Sequence, residues 1–219
     1  MKSVVILCRH GNTFAKGEKV VMVGANEDLA LTEEGIAQAR AVGAALVEAG
    51  PVITRIIAGP LKRTRVFAEE LIKIAAPALT YSVDDRLREL DYGAWGGLSN
   101  DEISALSGTE ALRRWQQDGE RPQGVTFMPA ASELEQQTRD LLNELAAGGG
   151  LSVVVTSNGR LREFGRIVGA VNKSGQDSCK VNTGASCVLL FNGNSWSTVC
   201  WNVGPPLLAA ISFTDLSFI

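Results

Sequence analysis

Residues 4–8, 53–58 and 151–156 are short runs rich in valine, isoleucine and leucine, and each is followed by a polar, glycine-containing turn before a stretch with helical patterning. Runs this short with little alternation read as strands buried on both faces. Strands that alternate with helices build a parallel sheet covered on both sides. Two later runs, 186–191 and 196–201, flank Asn192-Gly193-Asn194-Ser195 and read as a closing hairpin. A chain of 219 residues fits one core, since cores keep growing to roughly 250 residues before they split. The expected architecture is therefore a single α/β domain over 1–219. It has a mainly parallel central sheet, antiparallel edge strands from the hairpin, and helices on both faces.

The segments between the runs carry their own signals. Thr32 can cap a helix running to about Gly50, with Glu33 and Glu34 at the positive end of its dipole. Gly59-Pro60 is expected to open a second helix, with the proline where no backbone donor is needed. A weak strand near 79–83, a loop at 89–99 and a polar helical region to Gln117 follow, then a linker at 119–129 that reads as flexible. Ser132-Glu133-Leu134-Glu135 fits a capping box for a helix to about Ala147, ended by Gly148-Gly149-Gly150. A helix is expected from Asn158 to about Val171.

With 45% hydrophobic and 21% charged residues, the chain is neither disordered nor repetitive in composition. A net charge of -3 excludes a protein whose main task is neutralising nucleic acid or anionic lipid. No run approaches the ~20 apolar residues of a membrane span. The first residues are too short an apolar run for a signal peptide, so a cytoplasmic location is expected. Cys8, Cys179, Cys187 and Cys200 show no C-x-x-C spacing and the chain has one histidine, which leaves no usual zinc constellation; reduced core cysteines are expected, and no metal.

In open α/β sheets ligands bind at the carboxyl ends of the strands. Three polar clusters fall there: Arg9-His10-Gly11-Asn12-Thr13, residues 59–63, and Ser157-Asn158-Gly159. Between an arginine and a glycine, a neutral imidazole can present a nitrogen lone pair to an electrophile while the glycine lets backbone approach a ligand. Arg9 and Arg63 would add planar donors suited to phosphate oxygens. On spacing alone, a histidine merely satisfied at a strand end is an equally good account of His10.

Read together, the motifs are more specific. Arg9-His10-Gly11-Asn12-Thr13 resembles the R-H-G-x-T signature of the histidine phosphatase (phosphoglycerate mutase-like) superfamily. Asp28, Leu31, Thr32 and Gly35 resemble its D-x-x-L-T-x-x-G stretch, Pro60-Leu61-Lys62-Arg63 its P-L-x-R segment, and Leu87-Arg88-Glu89-Leu90-Asp91-Tyr92-Gly93 its L-x-E-x-x-x-G segment. The resemblance covers about 4–103 and 151–202 in the family's order and leaves about 104–150 unmatched, which implies a variable cap or insertion region there. It implies a phosphoglycerate mutase-like fold and a two-step phosphoryl transfer without cofactor or metal. His10 attacks phosphorus to form a phosphohistidine; Glu89 protonates the leaving oxygen and then helps water attack. An alkoxide leaves poorly unless protonated, so such an acid is needed. Arg9, Asn12, Arg63 and the pair Ser157 and Asn158 would bind the phosphate, with a substrate loop that includes Lys16 and Gly24.

The pattern breaks at the family's second histidine, expected in a segment like S-H-G-G. Here the chain reads Thr156-Ser157-Asn158-Gly159, so Ser157 or Asn158 takes that place, and no other histidine can substitute. Losing one charge-assisted hydrogen bond, worth roughly 1.5 to 3 kcal/mol, would slow the reaction roughly 10- to 150-fold. Lys16 stands where many relatives have asparagine, and Gly96 where many have a second acid. The implied activity is a slowed phosphomonoester hydrolase acting on a small phosphorylated metabolite. A catalytically impaired phosphate-ligand binding or regulatory protein and a phosphoglycerate mutase-type phosphotransferase are the alternatives. Neither a nucleic-acid nor a membrane partner is implied, and the sequence carries no signal of oligomeric state.

Overall fold

In the computed structural model, which describes residues 2–170 and 179–213, the apolar runs become the middle of a six-stranded sheet. The strands are β1 (Ser3–Arg9), β2 (Ile53–Ala58), β3 (Tyr81–Val83), β4 (Gly150–Thr156), β5 (Ser186–Phe191) and β6 (Trp196–Val203), in the order β3-β2-β4-β1-β5-β6. β3, β2, β4 and β1 are parallel; β5 runs antiparallel to β1, and β6 antiparallel to β5. The helices are α1 (Glu33–Ala49), α2 (Lys62–Ala75), α3 (Asn100–Ser107), α4 (Thr109–Asp118), α5 (Ala131–Gly148), α6 (Asn158–Val168) and α7 (Pro205–Ala209). This is the single α/β domain that the alternation of runs and helices predicts.

Alternate residues of β1 face opposite layers. Val4, Ile6 and Cys8 pack with Ala39, Val42 and Leu46 of α1 and Phe67 and Leu71 of α2. Val5 and Leu7 pack with Leu141 and Leu145 of α5 and Leu161 and Phe164 of α6. Fully burying one such side chain contributes about 1.5–3 kcal/mol. A one-residue slip would exchange the two faces, so the register is firmly held. That register sets Arg9 opposite Thr156, and Cys8 and Ala58 both opposite Val155. The carboxyl ends of the three central strands therefore finish at one level, and the three polar clusters meet there.

Several local expectations need correction. Pro60 lies before the cap of α2: Leu61 is the N-cap, and the first helical amide, of Lys62, is held by Asp28 Oδ1 at 2.6 Å. The Ser132 capping box does not form, because α5 starts at Ala131 with Ala130 as its cap and Ser132 falls inside the first turn. The box is made instead at Ser99 and Glu102, which open α3. The polar stretch to Gln117 is two helices, divided at Gly108, whose φ is 87°. The linker 119–129 is tied down rather than loose. Arg121 donates to the carbonyls of Phe127 and Pro129 (3.0 and 2.8 Å), and Asp91 and Met128 exchange backbone hydrogen bonds at 2.9 Å. α6 ends at Val168 with Gly169 in the left-handed region, and Val171 lies outside the described residues.

A third, smaller core joins Leu90, Tyr92, Trp95, Ile103, Leu112, Trp115, Phe127 and Leu134 over the carboxyl end of the sheet. Phe127 is its hub, with edge-to-face contacts to Tyr92, Trp95 and Trp115. The later part of α5 belongs to the main domain core, so residues 104–150 are shared between two packing units. No helix among the described residues is long and apolar enough to cross a membrane.

Candidate active site

The loop after β1 is held against the start of α1 by backbone contact. Thr32 donates to the Asn12 carbonyl through its amide (2.9 Å) and its hydroxyl (3.2 Å), and the same hydroxyl accepts from the Gly35 amide at 3.1 Å. Two glycines make the approach possible. A Cβ on Gly11 would fall 2.3 Å from the Gly35 carbonyl oxygen, and one on Gly35 would fall 2.3 Å from the Asn12 carbonyl oxygen. These contacts explain why threonine and glycine follow at that spacing. Gly35→Ala is expected to destabilise the protein by about 1–3 kcal/mol, read as a lower denaturant midpoint at unchanged slope; an unchanged midpoint would mean that the loop yields freely.

His10 then stands 6% exposed at the end of β1, with Nδ1 2.8 Å from the Gly11 carbonyl oxygen. A carbonyl only accepts, so Nδ1 carries the proton and Nε2 keeps its lone pair. Burial and the neighbouring Arg9 and Arg63 guanidiniums hold the imidazole's pKa well below its ordinary value, leaving the ring neutral at physiological pH. This has a sign for stability. The unfolded chain takes up a proton below about 6.5 while the folded site resists it, so the contribution is complete above that pH and is lost as pH falls toward the depressed folded value. We expect stability to fall by up to about 1.4 kcal/mol per pH unit in that window, and His10→Gln to flatten that slope. Equal slopes in the two proteins, measured by denaturant melts, would contradict it.

His10 lines a cavity of about 820 Å³ together with Arg9, Arg63, Glu89, Tyr92 and Asn158. Arg9 is anchored by Nη1 to the Val181 carbonyl (2.6 Å), and Arg63 reaches the carbonyls of Glu27 (2.7 Å) and Gly24 (3.0 Å). Burial lowers the pKa of both guanidiniums, Arg9 to about 10, which leaves each charged at neutral pH. Glu89 is buried, accepting from the amides of Leu90 (2.8 Å) and Gly159 (3.2 Å). The Gly159 position must stay bare: a Cβ there would lie 2.3 Å from Glu89 Oε1. Tyr92, its pKa pushed well up by burial and by Glu89, keeps its hydroxyl proton beside that carboxyl group.

The other sequence candidates divide. Asn12 and Asn158 line the cavity, each already engaged: Asn12 Oδ1 accepts from Thr183, and Asn158 Oδ1 accepts from the Val181 amide at 3.0 Å. Ser157 caps α6 by position alone; it is wholly enclosed, is not among the cavity-lining residues, and its hydroxyl has no hydrogen-bond partner. Gly24 acts through its carbonyl on Arg63 and is likewise not a lining residue. Lys16 is exposed and away from the cavity; the lysine on the wall is Lys19, paired with Glu102 at 2.7 Å. Sequence reasoning missed Arg162, a buried arginine that lines the cavity one helical turn beyond Asn158, and Tyr92, three residues after Glu89.

The sequence pattern of the histidine phosphatase superfamily (branch 1) matches residues 5–204. A 2,3-bisphosphoglycerate-dependent phosphoglycerate mutase of Mesorhizobium japonicum is 26% identical over 204 residues, covering 91% of this chain and 96% of that protein. One of the same name from Brucella abortus is 31% identical over 123 residues, covering 56% of this chain and 59% of its own length. Among solved structures, a mycobacterial glucosyl-3-phosphoglycerate phosphatase superposes with a TM-score of 0.73 at 23% identity, covering 93% of this chain and 100% of its own. A phosphoglycerate mutase of Bacillus anthracis gives 0.75 at 15% identity, covering 95% of this chain and 96% of its own. At these identities the two structures speak to the fold alone.

Proposed function

The chain belongs to the histidine phosphatase superfamily, and on that footing we propose that it hydrolyses a small phosphomonoester, carrying the phosphoryl group on His10 between two steps. The observation that carries the reading is the imidazole's orientation: Nδ1 is committed to the Gly11 carbonyl, which leaves Nε2 as the nucleophile in a cavity shared with Arg9, Arg63 and Glu89.

In the first step the Nε2 lone pair forms a bond to phosphorus while the bond from phosphorus to the ester oxygen breaks, and the Glu89 carboxyl proton passes to that oxygen. In the second, water attacks phosphorus, its proton returns to Glu89, and the phosphorus–nitrogen bond breaks to release inorganic phosphate and neutral His10. Arg9 and Arg63 stabilise charge on the phosphoryl oxygens through both steps. The relatives' names span mutases and a phosphatase. Hydrolysis is favoured because Lys19 and Val20, both exposed, form part of the cavity wall and let water reach the site. A mutase must keep water from its phosphohistidine.

Of the two candidates for the second histidine's place, Asn158 lines the cavity and Ser157 is enclosed, which supports Asn158. With one histidine in the chain, a protein that binds phosphorylated ligands without turning them over is the second reading. Phosphate release from an aryl phosphate between pH 4 and 9, in the presence of a metal chelator, separates them. Multiple turnovers are expected; stoichiometric binding of the ester with no release would select the binding protein.

A further inference from the structure

We propose that Arg162 is a third phosphate-binding arginine, adding to Arg9 and Arg63 a charged hydrogen-bond donor where the family's pattern would supply one from a second histidine. The proposal rests on the phosphatase reading above and names a residue that reading does not need.

Asn158 and Arg162 sit four residues apart on α6 and both line the cavity that holds His10, as the helical repeat requires of side chains on one face. Arg162 is 4% exposed, yet its Nε and Nη1 atoms have no hydrogen-bond partner. Buried guanidinium donors are nearly always satisfied, and one left unsatisfied at a cavity wall asks for an acceptor from outside the chain. The other arginines of α6 show the ordinary outcome. Arg160, equally buried, donates to Thr138 at 3.0 Å, and Arg166 pairs with Glu163 (2.7 Å) and Glu135 (2.6 Å). Arg160 is left with one unmatched nitrogen, Nε; of these three arginines only Arg162 lines the cavity, and it is left with two.

The guanidinium lies over the Trp115 ring, 5.2 Å from its centroid. That contact holds the group beside the ring, and a guanidinium's planar fork of N–H donors matches a phosphate. Its surroundings place it at the phosphate end. Arg162 and Arg9 oppose each other's charge, and Glu89 and Tyr92 favour the charge of Arg162. Three guanidiniums, Arg9, Arg63 and Arg162, therefore line a cavity whose carboxyl groups are Glu89 and Asp101, and a phosphate dianion is the ligand that relieves their mutual repulsion. Trp115 comes from α4, so the cap over the sheet helps to aim a group in the site beneath it.

Titration with inorganic phosphate tests the assignment. Wild-type protein is expected to bind phosphate. Arg162→Gln should weaken that binding about 10- to 100-fold, the worth of one charged hydrogen bond, and lower kcat for an aryl phosphate. Its Tm without phosphate should be unchanged or higher, because a buried charge without a partner has been removed, and its rise in Tm on adding phosphate should shrink. A structural role in seating Trp115 would instead lower the Tm and spare phosphate affinity. If Arg162→Gln folds poorly, Arg162→Lys keeps the charge but loses the fork and should show the same loss of phosphate affinity at normal Tm. Wild-type affinity in the Arg162 variants, beside its loss in Arg9→Gln, overturns the proposal and leaves the phosphatase reading standing. No phosphate binding by the wild-type protein overturns both.

Discussion

His10→Ala is expected to lower phosphate release from an aryl phosphate by on the order of 10⁴-fold or more, to the level of the buffer blank. The size follows from what is lost. Without Nε2 the imidazole that forms the covalent intermediate is gone, and the arginines alone can only bind the ester. The substitution should leave the fold intact: the ring makes one local hydrogen bond, to Gly11, and the strand register is held by the apolar residues of β1. Phosphate affinity should persist in the variant, because a neutral imidazole contributes no charge to the anion site. Activity that survives His10→Ala would mean that another group attacks phosphorus.

Glu89→Gln should reveal its part through the leaving group. A glutamine keeps the shape, and its single oxygen can keep one of the two hydrogen bonds from the Leu90 and Gly159 amides, but it carries no acidic proton to give. For an alkyl phosphate, whose leaving alkoxide needs that proton, a loss of about 10²–10⁴-fold in kcat is expected. An aryl phosphate, whose phenoxide leaves readily, should lose much less. The measurement is kcat for both esters in both proteins. Equal losses for the two esters would place Glu89 in binding or structure rather than in proton transfer.

The sheet was legible because its central strands are apolar on both faces, and no other element this short tolerates that pattern. His10, Arg63 and Glu89 were legible from motifs, and the structure gives those motifs reasons: Thr32 and Gly35 lock the loop after β1, Asp28 holds the first amide of α2, and Gly159 makes room for Glu89. What failed to show was decided by tertiary packing. Ser99 and Ser132 each precede a glutamate by three residues, but only Ser99 stands outside its helix. Lys16 and Lys19 lie in one loop, and its path selects Lys19 for the cavity wall. Arg160, Arg162 and Arg166 read alike as helix charges, and only contact with Trp115 and with the cavity separates Arg162 from the others.

The direct test of the account is to catch the intermediate. Wild-type protein mixed rapidly with an aryl phosphate, quenched in alkali to preserve an acid-labile phosphoramidate, and digested for mass spectrometry should carry one phosphoryl group on the peptide containing His10. That species should appear before inorganic phosphate and be absent from His10→Ala. Phosphate released with no phosphorylated His10 at any time, or a phosphoryl group on another residue, would contradict the central claim.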